Sequence, residues 1–88
     1  MDIFELINNM YENKELHCRK KNLYSLKVRI KNLYESCIYA KHKAYNDIEW
    51  QCEYTARREA LYNYLLALLD AGLIQDATFN LLNNYLLK

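Results

Sequence analysis

A chain with one glycine, Gly72, and no proline has almost no means of making tight turns. A small β domain needs such a turn for every strand pair, built from residues that tolerate positive φ or preset φ near −65°. The chain therefore reads as all-α, one domain over residues 1–88. At this length folding hides only about 60–65% of the surface. The 52% of hydrophobic residues, nine tyrosines among them, must therefore supply the core from several helix faces at once.

Four helical pieces follow from the apolar spacing. Asp2 is placed to cap the first, whose Ile3, Leu6, Ile7 and Met10 recur on one face. Glu12, Asn13 and Lys14 interrupt that pattern and mark a bend or break. The second piece is long. Leu16, Leu23, Leu26, Ile30, Leu33, Cys37, Ala40 and Ala44 fall at heptad a and d spacing, and Tyr24, Tyr34, Ile38 and Tyr45 widen the stripe. The candidate seam of a hairpin or dimer is Leu23, Leu26, Ile30, Leu33, Cys37, Ala40 and Ala44, whose last three small side chains let a partner helix come close. Asn46 and Glu49 stand three apart, as in a capping box, which places a turn near 45–47. A third helix then runs to about Ala71, where Gly72 supplies a left-handed cap and Leu73 closes it. A last helix spans roughly 76–87. The expected architecture is a small helical bundle built on a long antiparallel hairpin, about 14–45 and 47–71, with short N- and C-terminal helices.

The run Leu68, Leu69, Asp70, Ala71, Gly72, Leu73, Ile74, followed by Phe79, resembles the short helical hairpin at the C-terminus of many small bacterial proteins, including the SHOCT-type module. The resemblance covers about fifteen residues and implies a helical hairpin for oligomerisation or docking rather than an activity.

Charge is unevenly spread. Nine of the twelve basic side chains lie between Lys14 and Lys43 against only Glu15 and Glu35, a local +7 that the rest of the chain offsets to a net +1. Arg19, Lys20, Lys21, Lys27, Arg29, Lys31, Lys41 and Lys43 are the candidate nucleic-acid contacts, with interleaved tyrosines available to stack on bases. On a helical wheel, however, these charges surround the seam rather than form one stripe. Facing Glu49, Glu53 and Glu59 across an antiparallel hairpin, they are expected to be partly neutralised within the chain. Length carries a second implication. A helix over 14–45 is about 48 Å long, whereas a compact domain of this size has a radius of gyration near 12 Å and a diameter of about 30 Å. Either the helix is broken or the molecule is an elongated hairpin whose exposed seam pairs with a second copy, and an antiparallel homodimer is the expected resolution.

Catalysis finds little material. His17 and Cys18 are neighbours, and Cys37 and His42 are five apart, so neither pair shares a helix face. No CxxC or HxxxH spacing invites zinc, one glycine excludes a phosphate loop, and no cofactor is implied. The odd cysteine count, the acidic N-terminus without a cleavage site, and the lack of a long apolar run point to a cytoplasmic protein with neither signal peptide nor membrane span. The expected function is non-enzymatic protein binding. Trp50, Tyr54, Arg57, Arg58 and Tyr62 are the candidate partner interface, since Trp, Tyr and Arg anchor interfaces most often. Adjacent Arg57 and Arg58 interrupt the apolar face, which suggests that Glu53 or a partner holds at least one of them. A composition rich in Asn, Lys, Tyr and Ile with little Gly or Pro suggests an AT-rich genome, and a very small helical chain without catalytic residues suggests a phage or mobile element. In that setting small helical proteins act as stoichiometric inhibitors or regulators of a host protein or protein–nucleic acid complex, anti-CRISPR proteins among them. Nucleic-acid binding by the basic helix and a bacteriocin-immunity-type bundle are the alternatives.

Overall fold

The computed structural model describes residues 2–87. Its helices are α1 (Ile3–Glu12), α2 (Lys20–Lys43), α3 (Ile48–Asp70) and α4 (Asp76–Leu86), with a 3₁₀ turn at Ala44–Asn46 between α2 and α3. No strand is present among the described residues; a single antiparallel bridge joins Leu16 and Ile74. The chain is an all-α bundle in which α2 and α3 form the hairpin, α1 packs on α2 and α4 packs on α3.

Each helix boundary has a local cause. The Asp2 carboxylate accepts from the Glu5 amide at 2.9 Å and starts α1. At the other end the Lys14 amide donates to the Tyr11 carbonyl and the Glu15 amide to the Met10 carbonyl. That paired arrangement is the Schellman cap, and it requires a left-handed residue, here Lys14 at φ 60°. The second cap is built the same way. Gly72, at φ 78°, donates to Leu69 while Leu73 donates to Leu68. Beyond both caps the chain runs extended, and the His17 amide donates to the Leu73 carbonyl at 2.7 Å.

Two expected boundaries are corrected. The long helix begins at Lys20, not near Lys14, because residues 14–19 turn and extend to bring Leu16 into the core beside Ile74. The remaining 24 residues span about 36 Å, which fits a molecule of 41 × 22 × 19 Å with a radius of gyration of 13.6 Å. The cap of α3 is Asp47, not Asn46. Asn46 closes the 3₁₀ turn, and extended Asp47 accepts from the Glu49 amide at 2.9 Å. Glu49 thus occupies the second helical position, one short of where a capping box closes.

The core sits at one end of the hairpin. Ile3, Ile7 and Met10 of α1, Leu23, Leu26 and Ile30 of α2, Leu61, Leu65 and Leu68 of α3, and Leu82 and Leu86 of α4 are all buried, with Leu16 and Ile74 between them. Each such side chain stabilises the fold by roughly 1.5–3 kcal/mol through burial. Toward the turn the α2–α3 contact narrows to the buried Cys37 and Ala40, with Leu33 and Ala44 half-buried. The part of the seam that could have demanded a second copy, Leu23 to Ile30, is therefore covered within one chain.

Candidate functional site

The tip of the hairpin holds a cluster centred on Arg57. Its Nε meets Glu53 Oε1 at 2.9 Å, one turn back on α3. Its terminal nitrogen donates to the Ser36 carbonyl of α2 at 3.3 Å. The guanidinium lies 5.4 Å from the Trp50 ring centroid and 6.0 Å from that of Tyr39. Tyr39 and Trp50 meet edge to face at 5.6 Å, and Lys43 Nζ lies 5.6 Å from the Tyr39 ring. Such cation–aromatic contacts are worth about 0.5–1 kcal/mol each at exposed sites, so the cluster is held in shape before anything binds. Around it the tip is open: Tyr45 is 85% exposed, Ile48 76% and Tyr39 53%. Beneath it the buried Cys37 thiol is pushed up by desolvation, against the pull of Arg57 and Arg58, and stays protonated at neutral pH.

The five residues expected to form one interface divide. Trp50 and Arg57 belong to the tip cluster, and Tyr54 packs half-buried against the core. Arg58 and Tyr62 face α4 instead. Both Arg58 Nε and its terminal nitrogen donate to the Leu87 carbonyl, at 3.0 and 2.7 Å, which satisfies an orphan acceptor at the C-terminal end of α4. Tyr62 meets Phe79 at 5.8 Å. Both arginines that interrupt the apolar face are thus held within the chain, Arg57 by Glu53 and Arg58 by a carbonyl.

The basic residues separate as well. Arg19, Lys21 and Arg29 line an open groove of about 1310 Å³ between the end of α1, the start of α2 and the end of α3, together with Lys14 and His17. Lys27 and Lys31 flank the Phe4 ring on another side, at 5.8 and 5.7 Å, and Lys31 also pairs with Glu35 at 3.0 Å. Lys43 belongs to the tip, and Lys20 and Lys41 are exposed. No ion pair among the described residues crosses the hairpin to neutralise these charges. Among the described residues the ion pairs are Lys31–Glu35 and Arg57–Glu53, each within its own helix. Glu53 turns along α3 to Arg57, Glu49 lies in the first turn where the helix dipole favours it, and Glu59 lines a hollow with Arg58 and Asn83 of α4.

Sequence reasoning missed Tyr39 as the partner of Trp50, and Lys14, His17 and Tyr64 as groove residues. The signal for the first was distance from the turn: side chains about equally far from it on α2 and α3 meet, as Ser36 meets Arg57 and Arg29 meets Tyr64. Desolvation pushes the groove's Cys18 thiol up, the opposite of what a nucleophile needs. No group of three or more His, Cys, Asp or Glu side chains able to hold a metal comes together among the described residues, and no described helix is long and apolar enough to cross a membrane. No family model, curated protein or solved structure matches the chain.

Proposed function

We propose that this protein is a non-enzymatic binding module, a stoichiometric inhibitor or regulator that engages a protein partner through the hairpin tip. The observation that carries the reading is the Tyr39–Trp50–Arg57 cluster. It is a preformed aromatic and arginine group on a part of the molecule that the leucine core does not need. Trp, Tyr and Arg dominate binding energies where they are pre-ordered and can be desolvated together. The tip's charges nearly balance, Lys41, Lys43 and Arg57 against Asp47, Glu49 and Glu53, which suits an apolar protein pocket with a polar rim. Three free thiols, Cys18, Cys37 and Cys52, fit a reducing cytoplasm. The assignment to a phage or mobile element, with an anti-CRISPR-like role, rests on size and composition.

A homodimer, expected from an open seam, now depends on the tip, because the seam is closed at the other end. Light scattering at micromolar concentration separates the cases. A 10.6 kDa particle leaves the tip to a different protein, while a doubled mass that Ile48→Glu reduces assigns it to a second copy. The test of the reading itself is affinity capture with wild type, Tyr45→Glu/Ile48→Glu and Lys27→Gln. A partner retained by wild type and Lys27→Gln but lost by the tip variant supports it; equal retention by all three refutes it.

A further inference from the structure

The groove at the opposite end has charges without an internal partner. Lys14, Arg19 and Lys21 form no ion pair with a described carboxylate, and Glu12 is the one acid in the lining. Arg29 lies over the Tyr64 ring at 5.9 Å, and both line the groove, so a guanidinium plane and an aromatic ring are offered together. The local sequence runs against ordinary helix chemistry. Arg19 makes no side-chain cap, the first turn of α2 has no acid, and Lys20 and Lys21 sit where the helix dipole is already positive. Lys14 is held in the left-handed region that glycine occupies at the equivalent cap. The uncompensated positive charge at the start of α2 is a cost to the folded chain that a bound anion would offset.

The shape narrows the ligand. At about 1310 Å³ and open to solvent, the groove exceeds the roughly 300–1,000 Å³ of sites that enclose one small molecule. Its cations line a concave surface, whereas duplex readers insert a convex helix or ribbon into a groove. A chain of phosphates with free bases matches a concave, cationic groove that also offers aromatic rings. We propose that the groove lined by Lys14, Arg19, Lys21, Arg29 and Tyr64 binds single-stranded nucleic acid through its phosphate backbone. The site shares no residue with the tip, so each can fail its test without the other.

Anisotropy titration of a fluorescein-labelled deoxythymidine dodecamer at ~50 mM salt, where phosphate contacts are strongest, tests this with the full chain. Saturable binding is expected, and Arg19→Gln/Lys21→Gln/Arg29→Gln should weaken it at least tenfold. The triple variant should also flatten the salt dependence by roughly 2 in log–log slope, about 0.7 per lost contact. All three positions are exposed, and circular dichroism confirms that the variant is folded. Lys27→Gln/Lys31→Gln/Lys41→Gln removes the same charge elsewhere and should cost less than threefold. Four outcomes overturn the proposal: no binding by wild type, equal loss in both variants, equal affinity for a duplex of the same length, or equal competition by polyglutamate, which would assign the groove to an acidic peptide.

Discussion

The two ends of the hairpin are built on different principles. At the closed end, four helices surround Ile7, Ile30, Leu61, Leu65 and Leu82, all essentially inaccessible to solvent. At the tip, two helices touch through Cys37 and Ala40, and an arginine clamped between aromatic rings does the rest. Bulky aliphatic packing needs enclosure on every side, and only the end flanked by α1 and α4 provides it. The tip keeps its shape with contacts that leave large aromatic surfaces in water. Stability therefore concentrates at the closed end, while the proposed protein-binding cluster lies at the tip, and substitutions should separate the two.

The largest effect expected is for Leu65→Ala, a loss of about 2–5 kcal/mol, a sizeable part of the ~5–15 kcal/mol that holds a small domain together. Trp50→Ala removes a larger side chain but one already half in water. It should cost only about 1–2 kcal/mol from the lost partial burial and Arg57 contact, while abolishing partner capture. Urea unfolding of the two variants decides the comparison: equal costs would mean that the tip is as much core as the base.

The two caps allow a finer test within the closed end. A Cβ at Gly72 would meet nothing within 4 Å, so Gly72→Ala is penalised only by its left-handed backbone, about 1–2 kcal/mol. Lys14→Gly reverses that penalty and should stabilise by about 1 kcal/mol, raising Tm by roughly 4–8 °C, while weakening oligonucleotide binding in the groove. A fall in Tm would show that the Lys14 side chain contributes more than its backbone costs.

Alkaline pH should give the smallest effect. Burial raises the thiols of Cys18 and Cys37 above their ordinary 9.0 and the Tyr64 phenol above its ordinary 10.0. Above those ordinary values the unfolded chain releases these protons more readily than the folded one, so stability falls as pH rises. The urea midpoint should hold to about pH 8 and decline beyond pH 9. Cys37→Ala should flatten only the tip's share, so an unchanged slope would place the titration entirely at the base.

Much of this could be read in advance, for identifiable reasons. A chain with one glycine and no proline had few places to stop a helix, so the hairpin and its Gly72 cap were legible. The break at Lys14 announced itself only as a lapse in apolar spacing, because lysine gives no sign of a left-handed backbone. Its extent to Lys20 depends on Leu16 reaching Ile74 in the far half of the chain, a tertiary contact that no local pattern carries. Asn46 and Asp47 are both good caps, and the 3₁₀ turn chose between them. The role of Arg58 was hidden because its acceptor is a backbone carbonyl at the end of α4, and carbonyls leave no trace in residue type. The acids of α3 were misplaced because each has a different local setting: Glu53 pairs with Arg57 one turn on, Glu49 sits in the first turn of its helix, and Glu59 lies beside Arg58 and Asn83.

The bridge between Leu16 and Ile74 has a kinetic meaning beyond its place in the core. The His17 amide is bonded outside any helix, to a carbonyl in another connector, so fraying of a single helix end does not release it. It opens only when the two capped turns part, which requires the closed end of the bundle to come undone. Amide hydrogen exchange at His17 should therefore be as slow as at Leu65, while amides near Tyr45 exchange rapidly. One loop proton would thus report the cooperative unfolding of the whole molecule.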